Sequence, residues 1–220
     1  MGFGYLIYGF FMMLEVRIPT SYSFALGIDL FPNLAGYLFM LTAARRLNSY
    51  AAGFSRCRQV LYPLVALGAL EYAAEILSIF LPSAGLALFS ELLTCAGLIL
   101  QPAAFFFLFS GIVSLSGEVE LPKIVSRARF TTVLGGAYYL LQIFVTVADD
   151  LSLGIPAGVL NPLRWVLLLL WTIFLILAEF TVFGCYMYIC YEGEENVNSK
   201  GLMNPIERLA ARLKKGKDDR

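Results

Sequence analysis

No histidine occurs in the chain, and its four cysteines, Cys57, Cys95, Cys185 and Cys190, form no CxxC pair. Zinc sites built from His and Cys clusters, and thiol redox motifs, are therefore not expected. The same lack removes the HExxH metal site and the Ser-His nucleophile pair, and no lysine lies inside an apolar run to act as a base for serine. A glycine-rich phosphate-binding motif is missing too. Asp149 and Asp150 are sequence neighbours and would point in different directions on a helix. These absences predict a chain that is not an enzyme and carries neither metal nor cofactor.

Charge is scarce as well: 15% of residues are charged and 59% are hydrophobic, with a mean hydropathy of +0.75. A soluble domain carries roughly 25% charged residues. Here the charges sit in short intervals between long apolar runs, which predicts an all-α, polytopic transmembrane helix bundle with the lipid bilayer as its first partner. Formal net charge is zero, but its distribution is uneven. Apart from Arg17 and Arg164, every basic residue falls within 45–58, 123–129 or 200–220. Basic loops stay on the cytoplasmic side, so this pattern predicts a multi-pass protein of the cell membrane with both termini in the cytoplasm. Cys57 then falls in a cytoplasmic loop and the other cysteines in helices or at a cytoplasmic end, where disulfides are not expected. The first apolar stretch has no basic residue before it and no small-residue cleavage pattern directly after it, so it counts as structure and not as a signal peptide.

Runs 60–81, 86–115, 130–148 and 166–191 are each long enough to cross about 30 Å of hydrocarbon. The first fifty residues offer two shorter candidates, 3–14 and 32–47. Counting both gives six spans, with five as the alternative if the first does not cross. The bundle then occupies 1–191, and 192–220 forms a tail. Within that tail Asn204, Pro205 and Glu207 make a helix start, and Met203, Ile206, Leu209, Ala210 and Leu213 share one side, which predicts a short amphipathic helix on the inner leaflet or on a protein partner. The basic run there is brief and mixed with acids, so nucleic acid is not an expected partner. The connection 149–162 is apolar and rich in Gly and Pro, and it reads as a non-helical loop covering helix ends. Pro32, with Asp29 and Asn33, reads as an outer turn before a helix.

Four glutamates, Glu71, Glu75, Glu91 and Glu179, lie inside the apolar runs with no base adjacent in sequence. A carboxylate in hydrocarbon needs a counter-charge, a proton or water. Helical spacing turns these residues into stripes: Gly68, Glu71, Glu75 and Ser78; Glu91, Thr94 and Gln101; Gly135, Tyr138, Gln142 and Asp149; Thr172, Glu179 and Tyr186. Depth counted along the helices puts Glu71 and Glu179 near the midplane, and Glu75 and Glu91 roughly 8 to 10 Å below the outer boundary. Two tiers of carboxylates converge if the helices touch. Pro102 interrupts its run beside Gln101 and removes a backbone hydrogen bond to Leu98.

Two functions fit. One is a transport-related subunit that binds a cationic or polar solute, or protons, with Glu71, Glu75, Glu91, Glu179, Gln101 and Gln142 as candidate ligands. The alternative is a non-transporting scaffold or regulatory subunit that turns its polar stripes to another membrane protein. In either case the glutamates can instead be protonated cross-braces between helices, at about a kcal/mol each.

Overall fold

Backbone amides in hydrocarbon must bond within their own segment, so an apolar chain of this kind resolves into helices. The computed structural model describes residues 2–13, 17–19, 27–29, 33–80, 84–150 and 157–190. Six helices follow one another: α1 (Gly2–Phe11), α2 (Asn33–Leu47), α3 (Ala52–Phe80), α4 (Ala84–Glu118), α5 (Pro122–Asp150) and α6 (Ala157–Cys185), the last continued by a π-helical turn at Tyr186–Cys190. Between α1 and α2 runs a two-stranded antiparallel ribbon, β1 (Arg17–Pro19) with β2 (Gly27–Asp29), in which Ile18 faces Ile28. The expected tail helix in 192–220, the Pro32 turn and the side chains of Glu75 and Asp149 lie outside the described residues.

The expectation of six membrane spans is overturned. Among the described residues four helices are long and apolar enough to cross: Ala52–Ser78, Leu88–Glu118, Pro122–Ala148 and Leu160–Ile189. α1 has ten residues and α2 fifteen, about 15 Å and 22 Å at 1.5 Å per residue, short of the roughly 30 Å that hydrocarbon demands. Their apolar composition reflects burial against each other and the remaining helices: Phe3, Leu6 and Phe10 of α1 and Tyr37, Met40, Ala43 and Ala44 of α2 are at most 2% exposed. The ribbon is a second departure from an all-helical expectation. Two further boundaries move: α5 runs on to Asp150 and α6 already includes Ala157–Pro162, so both ends of the expected 149–162 loop are helical, and Cys57 is buried in α3 instead of sitting in a loop. Pro162, the sixth residue of α6, offers no N–H to the Gly158 carbonyl, so one helical hydrogen bond is missing in its second turn.

Each helix packs on its sequence neighbours, and α6 packs on α1, which closes the six into a ring. Glycines set the closest approaches. A methyl placed on Gly53 of α3 would lie 2.6 Å from the Cα of Gly111 in α4, so the two backbones touch there. Gly135 of α5 accepts the Phe174 ring of α6, whereas a methyl on Gly136 would meet nothing within 4 Å. The pair Gly135 and Gly136 thus divides into a packing position and an open one. Inside the ring, Phe10, Phe105, Phe109, Tyr139, Trp171 and Phe174 form a continuous aromatic core, with Phe105 and Phe174 rings 5.3 Å apart edge to face. Toward the basic loops the buried contacts turn polar: Thr131 and Thr181 hydroxyls are 3.5 Å apart, and Ser116 lies 3.9 Å from the Cys185 thiol.

α4 ends in a Schellman motif, with Leu121 N–H donating to the Ser116 carbonyl at 2.9 Å and Glu120 N–H to that of Gly117 at 3.3 Å. Glu120 therefore holds φ at 56°, a conformation that glycine adopts without the steric cost borne by other residues.

The close approaches and the cap can be probed by substitution. Gly53→Ala is expected to lower the thermal unfolding midpoint in detergent, because the overpacking cost of about 1–3 kcal/mol exceeds the helix-propensity gain of about 1 kcal/mol. Gly136→Ala, with the gain and no clash, is expected to hold or raise it. Glu120→Gly is expected to stabilise by about 1 kcal/mol by relieving the left-handed backbone; a drop in the same assay would contradict that account.

Candidate functional site

Polar side chains from five helices converge at the end of the ring where α3 and α5 finish and α2, α4 and α6 begin. This end is opposite the basic loops. They line a cavity of about 510 Å³, within the roughly 300–1,000 Å³ typical of small-molecule sites. α2 contributes Asn33, Leu34 and Tyr37, and α3 contributes Gly68, Glu71 and Tyr72. Down α4 the lining runs Ser90, Thr94, Leu98, Gln101 and Phe105, at the three- and four-residue spacing of one helix face. Tyr138 and Gln142 come from α5; Arg164, Leu167, Leu168 and Trp171 come from α6; Met13 completes the wall beyond α1.

The predicted stripes sort unequally. Glu71, Gln101 and Gln142 are brought together in this cavity, with Gly68, Thr94 and Tyr138 beside them. Glu91 is exposed on α4 and Glu179 is half-buried on α6, and neither lines it. Glu179 lies eight residues beyond Trp171 along α6, roughly 12 Å farther from the cavity end. Glu71, Glu91 and Glu179 therefore do not share one site, and among the described residues Glu71 is the one carboxylate that lines the cavity. It shares the space with a base. Arg164 lines the same cavity, which corrects the expectation of glutamates with no cation at hand.

The two glutamines play different parts. Gln101 Nε2 donates to the Tyr37 hydroxyl and the Tyr139 hydroxyl donates to Gln101 Oε1 at 3.2 Å, so this amide ties α2, α4 and α5 together. Gln142 Oε1 is buried and has no hydrogen-bond partner among the described residues. A buried acceptor left unpaired costs about 1–3 kcal/mol, and Gln142 is also a residue of the cavity wall, so a turn of its amide toward a donor in the cavity recovers that cost. Glu71 and Gln101 flank bare backbone: a methyl placed on Gly97 would lie 3.8 Å from Glu71 Oε1 and 3.8 Å from Gln101 Nε2. Pro102 offers no N–H to the carbonyl of Leu98, which also lines the cavity.

The floor is aromatic. Trp171 lies 5.0 Å from Tyr138 and 5.5 Å from Phe174, centroid to centroid, and Phe105 is 6.4 Å from Trp171. Sequence reading assigned no site role to Arg164, Trp171 or Tyr37. The available signal was their spacing: Arg164, Leu168 and Trp171 fall on one face of α6, and Arg164 is a base outside the basic intervals. Comparison with protein-family models, with curated proteins and with solved structures finds no match for this chain.

The contrast between the two amides gives a measurable pair. Gln101→Leu is expected to destabilise by about 1–3 kcal/mol, since it strips a partner from two tyrosine hydroxyls. Gln142→Met is expected to leave the ligand-free midpoint unchanged or higher, since it removes an unpaired acceptor; thermal unfolding of both variants in the same detergent checks the difference.

Proposed function

We propose that this multi-pass membrane protein is a transport-related subunit that holds a small polar solute in the cavity between α2 and α6, and that it is not an enzyme. The observation that carries this reading is a cavity lined by an acid, a base and several hydroxyls, with Gln142, whose closed-off Oε1 has no partner among the described residues, in its wall. Of the two amides in that wall, Gln101 fastens helices and Gln142 is left to turn toward a solute. In this reading Glu71 and Arg164 orient the solute, Gln142 accepts a donor from it, and Gln101 positions the wall. Movement of the solute would need ion coupling or a separate energising partner. The scaffold reading draws on Glu91, an acid on an exposed face of a membrane span. Its place four residues into the apolar window that starts at Leu88 leaves it near the boundary, where a carboxylate reaches water without a protein partner.

A thermal-shift screen of the purified chain against small polar solutes tests the proposal. A solute at about 100 times its Kd is expected to add about 2.7 kcal/mol of stability. Gln142→Met and Glu71→Gln are expected to abolish that shift while remaining folded. A solute that stabilises both variants as well as it does the original chain would refute the assignment of this cavity.

A further inference from the structure

We infer that the solute is a net-neutral zwitterion bearing a planar ring, with its cationic group toward Glu71 and its anionic group toward Arg164, a step that rests on the cavity being a solute site. Glu71 and Arg164 are the only carboxylate and the only Lys or Arg side chain that line it among the described residues. Their charges sum to zero whatever partners the two side chains take. A solute with one charge leaves the cavity with a net charge and meets an opposite charge at only one of the two side chains. An uncharged solute meets an opposite charge at neither. A zwitterion offers each side chain a charge-assisted hydrogen bond beside whatever partner it already has.

Placement supports the same answer. In the ring order, α3 and α6 are three positions apart, so Glu71 and Arg164 project from opposite walls. Both lie on the mouth side of Trp171: Glu71 is nine residues from the end of α3 at Phe80 and Arg164 seven from the start of α6 at Ala157, roughly 14 Å and 10 Å along the helices, against roughly 21 Å for Trp171. Trp171, two turns below Arg164 on the same face, begins the aromatic floor with Tyr138. Both rings line the cavity and are only partly buried, so each leaves a surface for an offset-stacked or edge-on ring of the solute. Charged poles above and a flat apolar group below match an aromatic amino acid in kind.

Isothermal titration of the full chain in detergent with chemically matched probes tests this. Phenylalanine and tryptophan are the ringed zwitterions. Phenethylamine keeps only the cation of phenylalanine, 3-phenylpropionate only the anion, and alanine the zwitterion without the ring. The ringed zwitterions are expected to bind at least about tenfold more tightly than each of the other three. In Arg164→Gln the margin of phenylalanine over phenethylamine is expected to fall within about twofold, and in Glu71→Gln so is its margin over 3-phenylpropionate. The probe series on the unaltered chain tests the inference even if a variant fails to fold. A singly charged probe or alanine that matches phenylalanine overturns the zwitterion-with-ring assignment. So does a different polar solute that binds in a Gln142-dependent manner while both aromatic amino acids do not, a result that leaves the cavity reading standing. If no solute of any class binds, both fall together.

Discussion

Hydrocarbon offers no hydrogen bond, and that one deficiency organises the chain. Every polar side chain at membrane depth must find a partner inside the ring, reach a boundary, or border a space that admits water or a solute. Near the basic loops the first solution holds Thr131, Thr181, Ser116 and Cys185, which are buried and close in pairs, while Asn48 Oδ1 and Arg58 Nε are buried there without a hydrogen-bond partner among the described residues. At the opposite end the helices separate, and the third solution takes over around Glu71, Arg164 and Gln142. The aromatic core between them divides the bundle into a packed half and a hollow half.

Glycine and aromatic residues implement that division jointly. Gly53 and Gly111 bring α3 and α4 into backbone contact toward the basic end. Farther along the same pair of helices, Glu71 and Gln101 flank Gly97. Phe174 packs into the surface that Gly135 leaves bare and carries Trp171 with it, at 5.5 Å between rings. The floor is thus fixed from below by packing that does not itself touch the cavity lumen.

Much of this was legible in the residues before the fold was known, because hydropathy records burial in lipid directly. The four long helices and the faces carrying Gly68 with Glu71, Thr94 with Gln101, and Tyr138 with Gln142 follow from run length and helical period. What escaped was whatever depended on which helices meet. Apolar composition cannot distinguish a span from a short helix buried by its neighbours, and so α1 and α2 read as crossings. Absence of a nearby base in the sequence says nothing of a base ninety-three positions away, and so Arg164 was not paired with the Glu71 cavity. Gln101 and Gln142 carry the same amide, and only the tyrosines that surround the first reveal that one is a brace and the other a wall.

The ring order has a consequence for how the molecule is made. Contacts between consecutive helices are local in sequence, and such contacts form early and fast because little chain entropy is lost in closing them. The seal between α1 and α6 is different, since it joins the first and sixth of the described helices. During synthesis α1 can dock on α2 at once, yet its other flank stays uncovered until α6 has emerged and folded. Assembly of the bundle is therefore a zipper with a single clasp, and the clasp waits for α6.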